Sequence, residues 1–334
     1  MRLTLAALAI LAAAPAAATP DQAALAGRAL SEIILPGYQR LAEATETLAA
    51  EADGACSGEG PIEAGPVEDA FNAAFDAWIA VEPLRFGPAG ASGIADWPAG
   101  EAETPKALDA LAASEDPVVD DRPAFAATPA ADRGLLAAEY LLFGPGAAKL
   151  EGDTYSCRLL MAVTRNLSDA SAAILAGWQG HWSRTLQDAG APDNTDWKSP
   201  EAATASLYAA LADGLAADAD LRLARPLGSD DPHQVESWRS GRSLRNLELS
   251  LTALRAYAAS VFAPVLSPEA AARVDAAFAA ALAAADRVGG PLETAVGSDA
   301  GRAAVTALQA QVRQASAAAA TEIAPVLGIA VQAN

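Results

Sequence analysis

The sequence predicts an all-α protein made of two packed antiparallel helical bundles. Apolar residues recur at intervals of three and four through most of the chain, which places them on one face of a helix. The alternation of polar with β-branched and aromatic residues that typifies half-buried strands is almost absent. Glycine and proline, 25 and 21 residues respectively, cluster between the periodic segments, where they favour turns. These patterns predict helices joined by turns, without a sheet.

Residues 1–18 have the pattern of a secretory signal peptide. Arg2 supplies a short basic start, residues 3–14 form an apolar centre, and small residues precede a cleavage site near Ala18. The apolar centre is too short to span a bilayer, and a first core helix is the alternative interpretation. We therefore expect export to a bacterial periplasm. No later stretch is an uninterrupted apolar run, so no transmembrane segment is predicted in the mature chain.

The first predicted bundle covers residues 19–190. Its helices are expected at residues 21–52, 67–85, 101–114, 132–143 and 153–189. Because proline cannot donate the backbone hydrogen bond of a helix interior, residues 21–52 form either one kinked helix or two helices that meet near Pro36. Residues 115–128 are rich in aspartate and proline, which predicts a surface loop or short turns.

Residues 190–200 form a turn-rich connector that marks the expected boundary between the bundles. The second bundle, residues 191–334, has helices predicted at residues 199–221, 235–262, 268–288 and 299–322. Ser199 followed by Pro200 is a typical helix start, because serine caps the first turn and proline fits the first helical position. Residues 225–232 form a second polar connector.

The most informative segment is residues 132–146, where a single glutamate, Glu139, lies among apolar side chains. A helix built from this segment is apolar nearly all round, which indicates a buried helix. Gly144 and Pro145 end it, since glycine suits the position after the last turn and proline cannot continue a helix. A carboxylate in such surroundings needs a cation or hydrogen-bond donors, or it takes up a proton. Its apolar neighbours in the sequence are Leu135, Leu136, Tyr140, Leu141, Leu142 and Phe143.

This segment resembles the signature of the imelysin family, Gly-x-His-x-x-Glu within an apolar helix. Gly134 and Glu139 match that pattern, and Tyr140-Leu141-Leu142 follow as they do in the family. The family comprises periplasmic or cell-surface helical proteins that are classed as peptidases and associated with iron uptake. Leu136 occupies the position of the histidine. A histidine and a glutamate three residues apart share a helix face and could jointly hold a metal, whereas leucine cannot ligate one.

Three further segments are similar to imelysin motifs and occur in the same order as in the family. They are residues 78–88, which end in Phe-Gly-Pro, residues 240–246, which contain serine and asparagine, and residues 323–328, which resemble a closing Pro-x-x-Leu-Gly. Together with the Glu139 segment they span most of the mature chain. The resemblance therefore implies one continuous imelysin-like unit over residues 19–334, in which two related helical bundles pack together.

The resemblance also implies a site near Glu139. The predicted ligand-binding residues are Glu139, Glu82, Arg85, Trp78, Arg242 and Ser243, and Glu139 is also the candidate metal ligand. Glu82 lies four residues after Trp78, so both can face one cleft, although a solvated helix face explains a lone glutamate equally well.

The candidate partners of Glu139 are Arg85, Arg242 and Arg245. An arginine beside Glu139 would lower its pKa, whereas burial alone would raise it. A buried ion pair or hydrogen-bonded acid that only fixes the packing of the helices is the alternative interpretation of this residue.

Other sequence patterns give little support to hydrolytic chemistry or to nucleic-acid binding. His-Glu-x-x-His and Gly-x-Ser-x-Gly motifs are absent, and a zinc peptidase needs about three protein ligands and an open position. His181 lies between tryptophans in a predicted helix, which favours a packed or surface histidine. His233 follows Asp230 and Asp231; this group has oxygen and nitrogen atoms that could bind a metal, but it is equally typical of a turn and helix cap. The net charge of −20, or −21 once Arg2 is removed, repels nucleic acid.

Cys56 and Cys157 are the two cysteines of the chain. In an oxidising compartment a disulfide between them is favoured. Closing so long a loop would stabilise the fold by at most roughly 4–5 kcal/mol in the chain-entropy model. Two buried free thiols are the alternative, and nothing in the sequence resembles a closely spaced redox pair.

These features, together with the resemblance, predict an exported, imelysin-like cell-envelope protein that is a non-catalytic binding protein associated with iron uptake. The association with iron comes from the resemblance alone. Two alternatives stay open, namely a metallopeptidase of the imelysin class and a structural or partner-binding envelope protein whose site has decayed. No cofactor is specified, with iron or another divalent or trivalent metal left open. The expected partners are a metal ion, a small ligand or another envelope protein.

Overall fold

The protein is described by a computed structural model over residues 21–90, 93–147, 150–152 and 154–330, and most of these residues are helical. The predicted all-α class is confirmed. The predicted signal peptide, residues 1–18, lies outside the described residues and stays a prediction. Within the described ranges, no helix has both the length and the apolar content that a bilayer span requires.

Fourteen α-helices are described, and long ones alternate with single turns. Those of the first part of the chain are α1 (Gln22–Arg28), α2 (Leu35–Cys56), α3 (Ala64–Val81), α4 (Gly100–Ser114), α5 (Arg122–Ala126), α6 (Leu135–Phe143), α7 (Tyr155–Gly177) and α8 (Ser183–Gln187). Those of the second part are α9 (Pro200–Ala216), α10 (Ala224–Leu227), α11 (Ser243–Tyr257), α12 (Pro268–Ala285), α13 (Leu292–Ala295) and α14 (Asp299–Glu322).

Turns of other helical types continue several of these helices. π-Helical turns at Ala29–Ile34, Trp178–Trp182, Ala217–Leu223 and Ala258–Phe262 follow α1, α7, α9 and α11. Short 3₁₀ turns lie at Gly87–Ala89, Pro117–Asp120, Ala130–Asp132 and Ala263–Val265. The expected surface loop at 115–128 is thus one 3₁₀ turn followed by α5.

The first bundle is centred on α2, which packs against α3 and α7. Tyr38, Leu41, Leu48 and Ala52 of α2 are buried, at the spacing that the sequence predicts for one helix face. Pro36 does not break the chain into two helices. It lies in the first turn of α2, which begins directly after a π turn, and at this position its missing N–H has little cost.

The second bundle is built around the pair α12 and α14, with α9 and α11 beside them. The bundles also contact each other, because α3 packs against α11 and α1 packs against α9. Helix α1 therefore touches the second bundle, although its sequence belongs to the first one. The exact boundary at residues 190 and 191 stays a prediction.

A loop at residues 228–242 is the main departure from the predicted elements. The helix expected to begin at residue 235 begins only at Ser243. Ser237 and Gly241 have φ values of 54° and 68°, a left-handed backbone conformation that cannot continue a right-handed helix. Upstream, the helix expected to end at residue 221 continues through a π turn to Leu227.

The predicted disulfide between Cys56 and Cys157 is present, with the two Cα atoms 5.6 Å apart. It joins the end of α2 to the start of α7. Beside it, strands β1 (Gly60–Pro61) and β2 (Glu151–Gly152) pair in antiparallel register. Sequence patterns did not predict this ladder, because two residues are too few to show the period of a strand.

Candidate functional site

The helix that carries Glu139 is positioned by a glycine that no other residue can replace without strain. Gly134 precedes α6 with φ of 89°, a region that side chains rarely adopt. A Cβ atom added there would lie 2.7 Å from the Gly93 carbonyl oxygen. The next residue, Leu135, donates its backbone N–H to the Ile94 carbonyl at 2.7 Å. The match of Gly134 to the family signature therefore has a physical reason in this chain.

Glu139 is fully buried, and its carboxylate is held by the loop at 228–242. Oε1 accepts hydrogen bonds from the Ser240 backbone N–H at 3.0 Å and from the Ser240 hydroxyl at 2.7 Å. Oε2 has no hydrogen-bond partner among the described residues. Burial raises the pKa of Glu139 to about 7, and the two hydrogen bonds from Ser240 oppose that shift. At neutral pH this carboxyl is therefore divided between its two protonation states.

A second acid, Glu101 of α4, lies close enough to Glu139 to contribute to the rise in its pKa. Glu101 Oε1 accepts the indole N–H of Trp238 at 2.9 Å and also pairs with the Arg239 guanidinium. Its Oε2 is buried and, like Glu139 Oε2, makes no hydrogen bond within the described part of the chain. Two carboxylate oxygens without donors thus lie in one buried region.

Leu136, which the resemblance places at the histidine position of the signature, faces α4. A Cβ atom added to Gly100 would lie 3.0 Å from Leu136 Cδ1, so the leucine packs against Gly100, the residue that precedes Glu101 in sequence. Across the described residues, no group of three or more His, Cys, Asp or Glu side chains is arranged to hold a metal ion. Glu139 and Glu101 provide only carboxylate oxygens, and a catalytic zinc site needs about three protein ligands. The residues present do not fit such a site.

Three acids surround Arg222, a residue that sequence patterns did not single out; Asp218 and Glu236 are buried, and Glu82 is partly exposed. The Arg222 guanidinium donates to Asp218 Oδ1 at 2.9 Å, to Glu236 Oε2 at 2.9 Å and to Glu82 Oε2. We call Arg222, Asp218, Glu236 and Glu82 the Arg222 cluster. Asp218 and Arg222 are four residues apart in one helical segment, a spacing that could have indicated an ion pair. No sequence pattern indicated the contact between Glu236 and Arg222, because the residues from 235 onward were predicted as a helix and not as the loop that carries Glu236.

The acids of the Arg222 cluster respond differently to burial. Burial raises the pKa of Asp218 to about 7, in spite of Arg222 and the Ser250 hydroxyl, which donates to Oδ2 at 2.9 Å. The pKa of Glu236 is also raised by burial. In contrast, the pKa of Glu82 is lowered, because Arg222 and Arg85 together outweigh its desolvation. Glu82 therefore carries its charge throughout the neutral range.

A continuous series of polar groups connects Glu139 to the Arg222 cluster. In order, its members are Glu139, Ser240, Ser237, Asn246, Glu236, Arg222 and Glu82. The Ser240 hydroxyl lies 3.2 Å from the Ser237 carbonyl oxygen. The Asn246 side-chain amide donates to Ser237 Oγ at 3.3 Å and to Glu236 Oε2 at 3.1 Å. Residues from α6, α11, the loop at 228–242, the π turn after α9 and the residue that follows α3 thus share one network across the contact between the bundles.

Apart from Glu139, the predicted ligand-binding residues lie in three places: around Trp78, at Arg242 and at Ser243. Trp78, Glu82 and Arg85 lie together, with Arg85 over the Trp78 ring at 5.7 Å and paired with Glu82 at 2.6 Å. Arg242 donates to Asn72 at 2.6 Å and pairs with Asp76, both on α3.

Ser243 points to another part of the second bundle. Its hydroxyl donates to Glu293 at 2.5 Å and accepts the Leu292 backbone N–H at 2.8 Å, which attaches α13 to the start of α11. Ser243 is thus placed where it supports packing. Its assignment to a ligand site stays a prediction.

The candidate arginine partners of Glu139 are directed to other acids. Arg85 pairs with Glu82, and both Arg242 and Arg245 pair with Asp76. No arginine donates a hydrogen bond to Glu139 within the described ranges, and Ser240 takes that place. This serine belonged to a segment that resembles the family, but its bond to Glu139 depends on the loop that sequence patterns did not predict.

Each of the two histidines contacts a residue of its own segment. His233 is half exposed and stacks on Trp238 with ring centroids 3.9 Å apart. His181 lies near the Thr185 hydroxyl, which donates to the His181 backbone carbonyl at 3.0 Å.

Comparisons with known proteins agree with the helical fold described above. The Imelysin model of peptidase family M75 matches residues 34–319 of this chain. An imelysin-like protein from Psychrobacter arcticum 273-4 superposes with a TM-score of 0.75 at 17% identity, over 97% of this chain and 100% of that one. A candidate iron-regulated protein A precursor from Parabacteroides distasonis ATCC 8503 superposes with a TM-score of 0.70 at 13% identity, over 92% of this chain and 97% of that one.

No curated protein matches the sequence significantly. Identities as low as those of the two solved structures establish a shared fold and nothing more. The family model, in contrast, covers most of the chain, including both the Glu139 segment and the Arg222 cluster. This protein therefore belongs to the imelysin family.

Proposed function

We propose that this chain is an exported, non-catalytic binding protein of the cell envelope that serves iron uptake. The observation that carries the proposal is the state of Glu139 beside Leu136. Its Oε1 is held by two donors from Ser240, its Oε2 has no donor in the described structure, and the neighbouring position offers a leucine in place of a histidine. Such a site retains a buried hydrogen-bond acceptor for a ligand and lacks the side chains that would coordinate a catalytic metal.

The side chains available as metal ligands favour binding over hydrolysis. A zinc peptidase would use about three protein ligands and keep one position open for water. Here Glu139 and Glu101 offer two carboxylate oxygens, and each acid already accepts hydrogen bonds through its other oxygen. A cation or a donor-rich small molecule would satisfy the two remaining oxygens without any chemical step.

The link to iron is supported by the family and by the name of one structural relative, the iron-regulated protein A precursor described above. Export is supported by the signal-peptide pattern of residues 1–18. Growth of a deletion strain under iron limitation and fractionation of the native host test these two parts. We expect slower growth in low iron and recovery of the protein in the periplasm; normal growth or a cytoplasmic location would contradict the proposal.

Purified mature protein tests the non-catalytic part. We expect elemental analysis to find no stoichiometric iron or zinc, calorimetric titration with either metal to show weak binding, and unfolded substrates to remain intact. Stoichiometric zinc together with cleavage of those substrates would support a metallopeptidase.

The variant Leu136→His tests whether the rest of the family site survives. A histidine at this position shares a helix face with Glu139 and lies next to α4, where Glu101 is located. We expect a gain in iron or zinc affinity of about tenfold or more, since imidazole is a good ligand for both metals. Leu141→His is the matched control, because residues two apart do not share a face with Glu139. No gain in Leu136→His would favour a decayed site in a structural or partner-binding protein.

A further inference from the structure

A cleft of about 230 Å³ lies where the end of α3 meets the second bundle. One side is formed by Pro83 and Arg85, which follow α3, and by Trp97. The other side is formed by the segment that runs from α9 into its π turn. That segment contributes Asp213, Gly214, Ala217 and Leu221. The cleft therefore opens between two parts of the chain that are more than a hundred residues apart.

Two charged residues of the lining, Glu82 and Arg222, already have partners. They pair with each other, and both Glu82 oxygens are occupied, one by Arg222 and one by Arg85. Arg222 is further held by Asp218 and Glu236. These charges compensate each other, so Glu82 and Arg222 offer no free charge to a ligand.

Close packing holds the two sides at a short separation. A Cβ atom on Gly214 would lie 2.8 Å from Leu254 Cδ2 and 3.2 Å from Pro83 Cβ. The helix α9 approaches Pro83 this closely because residue 214 has no side chain. The cleft is thus built into the packing of the bundles.

Two oppositely charged side chains of the lining have polar atoms without a partner in the described structure. The Arg85 side chain is 48% exposed, and its bonds to Glu82 use Nε and Nη2, so that Nη1 is directed to no acceptor there. Asp213 is exposed, and its carboxylate accepts no hydrogen bond from any described residue. The lining also includes Leu221, the large hydrophobic side chain that is most exposed among the described residues, at 38%.

We propose that this cleft binds a free α-amino acid with an apolar side chain. The ligand carboxylate pairs with Arg85, its ammonium group pairs with Asp213, and its side chain covers Leu221, Ala217 and Pro83. A zwitterion offers a partner both to Asp213 and to the free Nη1 of Arg85, whereas a purely anionic ligand offers none to Asp213 and a purely cationic one offers none to Arg85 Nη1. This inference rests on the proposed binding role and names a ligand class for the site that contains Glu82 and Arg85.

The size of the cleft restricts the ligand to about one residue. Pockets for drug-sized ligands start at roughly 300 Å³, so a cavity of about 230 Å³ is suited to a smaller molecule. Leucine fits this description and is the probe of choice. Isocaproate has the same carbon skeleton without the ammonium group, isoamylamine lacks the carboxylate, and glycine lacks the side chain. Each therefore removes one of the three predicted contacts.

Calorimetric titration of the mature protein with leucine and the three analogues is the first test. We expect leucine to bind, and each analogue to bind about tenfold or more weakly, because a lost partner leaves a protein group unpaired. No binding of leucine, or equal affinity for leucine and isocaproate, would overturn the proposal. Isocaproate binding as tightly as leucine would indicate a simple anion site at Arg85.

The variants Asp213→Asn and Arg85→Gln assign the two contacts. We expect both to lose leucine affinity, and Asp213→Asn to leave the weak affinity for isocaproate unchanged, since that probe has no ammonium group. Asp220→Asn is the matched control: Asp220 is an exposed acid in the same helical segment that pairs with Arg313 at 3.1 Å, outside the cleft. Circular dichroism confirms folding of each variant. Wild-type leucine affinity in Asp213→Asn would refute the assignment.

Metal titrations keep this inference separate from the proposed function. If leucine fails to bind while Leu136→His gains metal affinity, the amino-acid inference is wrong and the proposed function stands. If leucine binds and the deletion strain grows normally in low iron, the cleft is a binding site and the association with iron is wrong.

Discussion

Ser240 holds Glu139 through both its backbone N–H and its hydroxyl, although the two residues are 101 positions apart in the chain. One oxygen of the buried acid therefore receives two donors and the other receives none within the described structure. This asymmetry leaves the pKa of Glu139 raised to about 7, because two hydrogen bonds to one oxygen do not offset the loss of hydration. The contact joins α6 to the loop before α11 and makes the stability of the fold sensitive to pH.

Glu139→Gln should weaken the pH dependence of stability. A buried acid with a raised pKa binds its proton more tightly in the folded than in the unfolded state, so its contribution is full below the unfolded value and is lost as pH rises through about 7. The unfolding free energy of the variant minus that of wild type should therefore rise by up to about 3 kcal/mol as the pH goes from 4.5 to 8. Urea denaturation across this range measures the difference.

The matched control for this measurement is Glu46→Gln, which changes an exposed glutamate of α2. Its difference from wild type should stay within a few tenths of a kcal/mol at every pH, as for surface changes in general. A Glu139→Gln curve that ran parallel to the wild-type curve would show that Glu139 keeps the same ionisation in both states.

Within the Arg222 cluster, Asp218→Asn and Glu82→Gln should have opposite effects near neutral pH. Burial raises the pKa of Asp218 to about 7, so ionised Asp218 costs stability above that pH and a neutral amide removes the cost. The pKa of Glu82 is lowered by Arg222 and Arg85, so its charge stabilises the fold above the unfolded value and this stability is lost on acidification.

At pH 8 we therefore expect Asp218→Asn to be as stable as wild type or more stable. Glu82→Gln should lose about 3 kcal/mol or more, as when one partner of a buried pair is removed. Thermal unfolding at pH 5 and pH 8 separates the two variants. Equal destabilisation of both at pH 8 would mean that every acid of the cluster is needed in its charged form.

Gly134→Ala should strongly destabilise the protein. The residue has φ of 89°, and a Cβ atom would lie 2.7 Å from the Gly93 carbonyl oxygen and 2.8 Å from the Ile94 carbonyl oxygen. We expect a loss of about 3 kcal/mol or more, from backbone strain and from displacement of α6. The control is Gly54→Ala in α2, where nothing lies within 4 Å of the added Cβ. That change should stabilise the protein by about 0.5–1 kcal/mol. Similar effects of the two variants in urea denaturation would contradict the geometry.

Removal of the disulfide should lower the unfolding free energy without changing the fold. The bond between Cys56 and Cys157 closes a loop with a sequence separation of 101, for which the chain-entropy model gives about 4.7 kcal/mol. The double variant Cys56→Ser, Cys157→Ser should show this loss in urea denaturation, with an unchanged circular dichroism spectrum. Reductant should destabilise wild type and leave the double variant unaffected. An equal response of both proteins to reductant would argue against the bond in solution.

The elements that sequence patterns predicted well are those whose signals are local. The helix at 299–322 has the bounds expected from its apolar spacing, and Ser199 caps α9 by accepting the Ala202 backbone N–H at 3.2 Å. The loop at 228–242 was missed in part, because residues 235–242 have apolar spacing compatible with a helix. Ser237 and Gly241 adopt left-handed backbone conformations there, which a local apolar pattern does not reveal.

The candidate site shows the same division. Apolar neighbours within α6 were enough to predict that Glu139 is buried. Trp78, Glu82 and Arg85 were predicted to lie on one helix, but α3 ends at Val81, and Glu82 and Arg85 follow it. The partners of Glu139 and Glu82 were not predictable, since Ser240 and Arg222 reach them from distant positions in the chain. A hydrogen bond across a hundred residues leaves no periodic signal in the sequence.

The sequence by itself determined that the protein is helical, that one acid is buried in an apolar helix, and that a leucine, Leu136, precedes this acid by three residues. Those properties depend on residue type and on spacing within a few turns. Only the tertiary structure decided which donors reach Glu139, which acids share Arg222, and where a cleft stays open between the bundles. These depend on how whole helices pack, because burial and the removal of water from charged groups are set by side chains that are remote in the sequence.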